Sequence, residues 1–425
     1  MAEFNVKDCH ALMNALVKQA TGQQAITVVD SSSFVSAGQL VLSTGMESVF
    51  NSLNIVLGRL IVASRPYKAK LTLMDAENTG VYTNRLRKIS FYAKDALASG
   101  AFNTNLFTNL AEGFTAGQNE DAEGAARSTK SQWEQHQQPS LEMNFGNSAT
   151  WQDCITMYEV QVQQAFRNEA EFAQFIAGYL QEHANDIESQ REAWNRMALL
   201  NKIASVYDMS TVMSGSVVNL TAGFNAKFGT SYTSEELRTT YLKDFLAYFV
   251  SEFKLTSKRM TERSKNFHWS PAKTVGGESY SLLRHTPYDR QRVYLFSDLF
   301  TEAESLVLPQ IFNPEFLDIN TQYEEVTYWQ SETTAEDRAK IKVVPAVTDT
   351  ETGLQKAGAE VSLDYVVGMI TDTDGLMTNM QLDTTATTPL EARKLYRNTW
   401  NTFLKGVISD NTENAVIFIM ADPVA

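Results

Sequence analysis

The chain has 425 residues, enough for two or three domains or one elaborate one, and its 43% hydrophobic and 20% charged residues are ordinary for a protein with a sizeable core. Its 50 acidic and 36 basic residues leave a net charge of −14, opposite in sign to that of a free nucleic-acid binder gripping phosphates. Two cysteines, Cys9 and Cys154, are too few for a zinc cluster and have no redox spacing, so two free thiols are expected.

The N-terminal stretch Met1-Ala2-Glu3-Phe4-Asn5 lacks a basic segment, and no apolar secretion core follows it. The longest apolar runs, such as Ala415 to Met420, are too short to span a bilayer. The expectation is a soluble protein that stays in a cytoplasm, with no membrane partner.

Residues 1–83 are mixed. An amphipathic stretch with Val6, Leu12, Met13, Leu16 and Val17 precedes Ser31-Ser32-Ser33, and the apolar run Leu53 to Val62 ends at Ser64-Arg65-Pro66. From Asn84 the character changes. Arg85 to Tyr92 mixes polar and apolar residues as an exposed strand does. A polar, small-residue tract runs from Ala96 to Gln138, and Leu141-Glu142-Met143-Asn144-Phe145 then alternates cleanly. Two strands flanking a long polar tip predict an outstretched hairpin.

The strongest local signal follows. Asn168 and Glu171 have capping-box spacing, and behind them Phe172, Phe175, Ile176, Tyr179, Leu180, His183, Ile187, Trp194, Met197, Ala198, Ile203 and Tyr207 recur at steps of three and four. This spacing predicts one helix over about 168–207, about 60 Å long at 1.5 Å per residue. Gly215 to Phe228 reads as strand and turn. The box Thr233-Ser234-Glu235-Glu236 reads as opening a helix that carries Leu242, Phe245, Leu246, Phe249, Val250 and Phe253. Val293 to Phe296 predicts a buried strand, followed by a helix with Leu299 and Phe300 that Asn313-Pro314 stops. Ile341 to Val347 and Val361 to Ile370 read as strands, Glu391 to Leu404 as a helix, and Ala415 to Met420 as a final strand. The predicted class is α+β.

A search for chemistry finds little. There is no glycine-rich phosphate loop and no nucleophile elbow. His10, His136, His183, His268 and His285 are scattered, without metal-ligand spacing. Asp372-Thr373-Asp374-Gly375 fails as a calcium loop, because Ile370 and Gln381 would stand where carboxylates are needed, and reads as a turn between strands. No catalytic residue, cofactor or metal is assigned. Two basic groups remain: Arg85, Arg87 and Lys88, and Lys254, Lys258, Arg259, Arg263 and Lys265, the latter with helical spacing. In an acidic chain such patches suit solvated faces or charge-complementary contact between subunits.

The order of arm, long hairpin, long helix, α+β region and returning strand resembles the Hong Kong 97-type major capsid proteins of tailed phages over nearly the whole chain. Arg290-Gln291-Arg292-Val293-Tyr294-Leu295-Phe296 with Asn313-Pro314 and Phe316 is similar to a strand–helix–turn unit of that family. Compact capsid subunits of short-tailed phages are the nearest comparison. The resemblance implies an N-terminal arm at 1–83, an extended E-loop at 84–150 and a peripheral domain with its spine helix at 151–229. An axial domain at 230–385 and a return to the peripheral domain at 386–425 complete it. It implies a non-enzymatic shell subunit around double-stranded DNA, made in the host cytoplasm and ending in the virion. Its partners would be itself in pentamers and hexamers, a separate scaffolding protein, a portal protein, and packaged DNA held by non-specific contact. Subunit contacts are expected at Arg85, Arg87, Lys88, Leu141, Met143, Phe145, Lys254, Lys258, Arg259 and Arg263. An encapsulin-like cellular shell protein and a phage tail or connector protein are the alternatives. Deleting Glu120 to Gln138 is expected to leave a subunit that melts as cooperatively as the full chain by circular dichroism but forms no closed shells under the electron microscope.

Overall fold

The computed structural model describes residues 6–22, 26–44, 70–75, 86–93, 139–145, 148–165, 169–275, 278–299, 301, 322–350 and 352–422. In chain order they form α1 (Val6–Thr21), α2 (Ser31–Ser43), β1 (Leu86–Phe91), β2 (Ser140–Phe145), β3 (Ser148–Tyr158), α3 (Glu159–Ala165) and α4 (Glu169–Asp208). Then come β4 (Val217–Asn219), α5 (Leu220–Phe228), α6 (Ser234–Thr239), α7 (Leu242–Met260), β5 (Lys273–Val275), β6 (Glu278–Tyr280), β7 (Gln291–Phe296), β8 (Gln322–Val326) and α8 (Ala335–Arg338). The series closes with β9 (Ile341–Val343), β10 (Ala346–Thr348), β11 (Gln355–Ala357), β12 (Val361–Leu363), β13 (Val366–Asp372), β14 (Leu376–Thr387), β15 (Tyr396–Ser409) and β16 (Ala415–Ile419). The class is α+β, as the pattern of the sequence predicts.

The long helix is continuous over 40 residues and runs through Gly178 without a break. It contains no proline and is rich in Ala and Glu, with Gln and Leu, which lose little side-chain freedom in a helix. The capping position Asn168 lies outside the described residues, as do the apolar run Leu53 to Val62, the polar tract Ala96 to Gln138 and the stretch around Asn313-Pro314.

The described residues fall into two units. The first lies within Met1–Asn84, Asn147–Ala198 and Met377–Val407. Here α1 and α2 bury Leu12, Met13, Leu16, Val17, Phe34, Ala37 and Val41, and Phe34 meets Phe172 of α4 edge-on at 5.5 Å. A three-stranded sheet, in the order β14-β15-β3, packs with α4. The Asp75 carboxylate pairs with Arg191 of α4, and Asn195 donates to Asp75 Oδ1 at 3.1 Å.

The second unit lies within Arg85–Gly146, Leu199–Leu376 and Ile408–Ala425. Its centre is a five-stranded sheet in the order β4-β16-β13-β7-β8, parallel at the two outer pairings and antiparallel inside. Every residue of β13 and β16 is buried, which is why both read as unbroken apolar runs rather than alternating ones. The rings of Phe249 and Phe253 on α7 close over Phe418 at 6.0 and 5.4 Å. Trp329 is fully buried, its indole donating to the Val366 carbonyl at 2.9 Å.

Several expectations need correction. Glu391 to Leu404 is not a helix, because residues 396–409 are strand β15. Tyr396, Trp400, Phe403 and Leu404 happen to fall at helical spacing, but they sit on two faces of a strand whose inward positions include Arg397, Asn401 and Lys405. Of Gly215 to Phe228 only Val217–Asn219 is strand. The Asn219 side chain accepts from the Thr221 and Ala222 amides and starts α5, and Gly229, left-handed at φ 66°, ends it. The capping box of Thr233 and Glu236 is formed, but it opens the short α6, and α7 begins separately at Leu242. Ile341 to Val347 is divided at Val344-Pro345, and Val361 to Ile370 at Asp364-Tyr365, into two short strands each. Asp372-Thr373-Asp374-Gly375 is the turn from β13 to β14.

Gly368 lies where β13 shifts register against β16, and a Cβ there would come within 2.5 Å of the Tyr294 carbonyl oxygen and 2.9 Å of Leu295 Cδ2. Gly368→Ala is therefore expected to lose about 1–3 kcal/mol by overpacking the central strands, read as a lower urea midpoint.

Candidate functional site

In the second unit β1 and β2 pair antiparallel from Leu86↔Phe145 to Phe91↔Ser140. Residues directly opposite share a face, so the register sorts the side chains into two sets. Lys88, Ser90, Leu141, Met143 and Phe145 share the inward face, while Ile89, Phe91, Glu142 and Asn144 share the outward one. Leu141 packs on a small cluster of Tyr92, Tyr280 and Leu282, and the Ala93 amide donates to the Ser281 carbonyl at 2.8 Å.

The hairpin base is held chiefly by charge. The Lys88 ammonium pairs with both Asp410 and Glu413. Arg284 lies 3.2 Å from Glu413 Oε1 and donates to the Ser90 hydroxyl at 2.6 Å and to the Thr412 carbonyl at 3.2 Å. From the other side Lys202 of α4 donates to the Asp410 carbonyl at 2.7 Å and to Asn411 Oδ1 at 3.0 Å. Asp410-Asn411-Thr412-Glu413-Asn414, the loop between β15 and β16, is thus buried throughout although every residue in it is polar.

Local chemistry shapes that loop. The Thr412 amide and hydroxyl donate to Asp410 Oδ1 at 2.8 and 2.7 Å, an Asx-type turn. All but one of its carbonyls accept a hydrogen bond: besides those of Asp410 and Thr412, the Asn411 carbonyl accepts from the Trp269 amide at 2.7 Å and that of Asn414 from the Asp372 amide at 2.9 Å. His268 donates from Nε2 to the Leu282 carbonyl at 2.8 Å, and its Nδ1 lies 3.0 Å from the Asn414 amide group.

Burial and pairing set the protonation of the cluster. Burial pushes the Lys202 ammonium down to about 8, against the pull of Asp410. Burial acts to raise Asp410, but the Lys88 charge and the Thr412 hydrogen bonds outweigh it and hold that carboxyl below its ordinary range. Glu413 is raised by burial in spite of Lys88 and Arg284. Burial likewise lowers His268.

The sequence-predicted contact residues are thereby sorted. Lys88 spends its charge inside its own chain, and Leu141, Met143 and Phe145 are half-buried on the inward face. Arg85 and the side chain of Arg87 lie outside the described residues. Lys258 and Arg259 are exposed in the last turn of α7, where cations complement the helix C-terminus, with Lys254 half-buried one turn earlier and Arg263 exposed beyond the end. Sequence reasoning missed Ile89 and Phe91, two apolar residues of the hairpin left exposed at 50% and 63%. It also missed Lys202, whose signal was a lysine in the apolar stripe of Leu199, Ile203 and Val206.

Among the described residues no group of three or more His, Cys, Asp or Glu side chains is placed to hold a metal, and no helix is long and apolar enough to cross a membrane. A cavity of ≈ 410 Å³ between α5 and α7 is lined by Phe224, Phe228, Tyr232, Tyr241 and Tyr248. The Lys227 ammonium stands 5.2 Å from the Tyr248 ring centre at that cavity.

No protein-family model and no curated protein sequence matches the chain. Among solved structures it is similar to the capsid of Staphylococcus phage Andhra, at 10% identity and TM-score 0.45 over 84% of this chain and 88% of that one. It is similar to a chain in the head fibre and inner core protein structure of native bacteriophage P68, at 10% identity and TM-score 0.47 over 84% and 87%. A third similar structure, the capsid of the cyanophage P-SCSP1u, has 8% identity and TM-score 0.42 over 85% and 90%.

Lys202 offers a test of the buried cluster. Lys202→Met would leave two buried acceptors, the Asp410 carbonyl and Asn411 Oδ1, without their donor, a loss of about 1–3 kcal/mol expected in urea denaturation at pH 7. Between pH 8 and 10.5 the unfolded chain still holds the lysine proton that the folded chain releases. Wild-type stability relative to Lys202→Met is therefore expected to rise across that window and to stay level below it.

Proposed function

We propose that this chain is the major capsid protein of a tailed phage, with the Hong Kong 97-type fold, self-assembling into an icosahedral shell around double-stranded DNA. The carrying observation is the hairpin: two strands fixed at their base by a buried ion cluster, with Ile89 and Phe91 exposed on the outward face beside Glu142 and Asn144. A firmly seated pair of strands that leaves an aliphatic side chain and a ring outside, next to polar groups, is suited to docking on another subunit. The 40-residue helix supports the same reading, since it provides a stiff rod about 60 Å long across which subunit contacts can be spaced.

In this reading residues 1–83 are the N-terminal arm, 84–150 the E-loop, 151–229 the peripheral domain, 230–385 the axial domain and 386–425 the return. Pentamers and hexamers form through many contacts, each too small to hold alone. A separate scaffolding protein guides closure, and a portal protein occupies one vertex. The acidic balance of −14 keeps packaged DNA from adhering, leaving non-specific contact at basic patches such as Lys258, Arg259 and Arg263. The subunit itself performs no catalysis; it is made in the host cytoplasm and ends in the virion.

Purified protein, with a scaffolding protein co-expressed where needed, is expected to yield closed icosahedral particles in negative-stain micrographs. Rings, tubes or persistent monomers under all such conditions would overturn the proposal, and shells that package an enzyme cargo and no DNA would favour the encapsulin-like alternative.

A further inference from the structure

The three-stranded sheet of the first unit has its charges on the inside. β3 and β15 pair antiparallel from Tyr396↔Tyr158 to Gly406↔Ser148. One face turns to α4: Trp151 meets Trp194 at 5.4 Å between ring centres, and His183 Nδ1 lies 3.1 Å from Asp153 Oδ2. On that face Arg397, Thr399, Asn401, Phe403 and Lys405 are all buried.

The outward face is a ladder of five cross-strand pairs: Tyr158 with Tyr396, Thr156 with Asn398, Cys154 with Trp400, Gln152 with Thr402, and Thr150 with Leu404. Its rungs are tied to one another. The tyrosine rings lie 6.0 Å apart, the Thr156 hydroxyl donates to Asn398 Oδ1 at 2.8 Å, and the Gln152 amide donates to the Thr402 hydroxyl at 3.4 Å. Tyr158 and Trp400 remain 45% and 38% exposed. None of the ten positions carries a charge. Charge depletion with exposed Tyr and Trp is the composition of an interface centre.

We infer that this face is a contact surface for a second copy of the chain. A phosphate-bearing partner finds no cation on it. Covering uncharged hydroxyls, amides and rings avoids the large cost of stripping water from ions. Eleven residues at about 3.4 Å each, on two strands about 4.8 Å apart, make a patch of about 35 by 10 Å, or roughly 700 Å² buried between two copies. That falls short of the 1,200–2,000 Å² of a lasting pair (roughly) and matches one weak contact among several in a larger assembly. The inference therefore rests on the shell proposal.

Cys154, a free thiol at the middle rung, reports on the face. In a Cys9→Ser background, iodoacetamide is expected to modify Cys154 readily in dissociated subunits and far more slowly in assembled particles. Thr402→Glu is expected to melt like the wild type yet weaken assembly by about tenfold or more, since it buries an unpaired carboxylate. Thr402→Val, which adds no charge, should assemble normally. Particles in which Cys154 reacts at the free-subunit rate, or a Thr402→Glu variant that assembles as the wild type does, would overturn this surface while leaving the shell proposal standing. A wild-type chain that forms no particles would overturn both.

Discussion

The clustering of Lys88, Lys202 and Arg284 around Asp410 and Glu413, with Lys202 and Asp410 fully buried, is the constraint on which the second unit depends. Four segments far apart in sequence converge there: β1, the C-terminal part of α4, the stretch between β6 and β7, and the loop entering β16. Each ion would be costly to bury alone, so none of these elements can settle without the others. That mutual dependence fixes where the hairpin leaves the body. A greasy contact would allow sliding, but paired charges with assigned hydrogen bonds tolerate one register. The apolar contact beside it, Leu141 on Tyr92, Tyr280 and Leu282, is small by comparison.

From that fixed register follows the division of labour between the hairpin faces. Because strand side chains alternate, tying Lys88 and Ser90 inward sends Ile89 and Phe91 outward. A shift of one residue would expose the lysine and bury the phenylalanine, exchanging an ionic anchor for a greasy one. Leu141, Met143 and Phe145 are half-buried on the inward face, and the exposed apolar residues Ile89 and Phe91 lie on the other strand and the other face.

A related inversion governs the sheet of the first unit. Arg397, Lys405 and Asp153 lie on the helix side, where His183 pairs with Asp153, and rings and hydroxyls are left facing out. In both, the inward charges are engaged within the chain, and exposed rings lie on the opposite face.

The sequence by itself determined the α+β class, the 40-residue helix, the paired strands around the polar tract, and the buried strands β7, β13 and β16. These are features of local period: steps of three and four for α4, alternation for β2, and continuous apolarity for strands covered on both sides. Where both faces of a strand carry apolar residues, period fails, and β15 reads as a helix for that reason. Only the tertiary structure decided which face of the hairpin looks outward, that Asp410 to Asn414 is interior rather than an exposed turn, and that Lys202 is a buried partner. Those outcomes depend on electrostatic pairing between residues separated by 208 and 322 positions, as in Lys202 with Asp410 and Lys88 with Asp410. No local pattern encodes such pairing, because a charged residue has the same polarity in a sequence whether water or an opposite charge will solvate it.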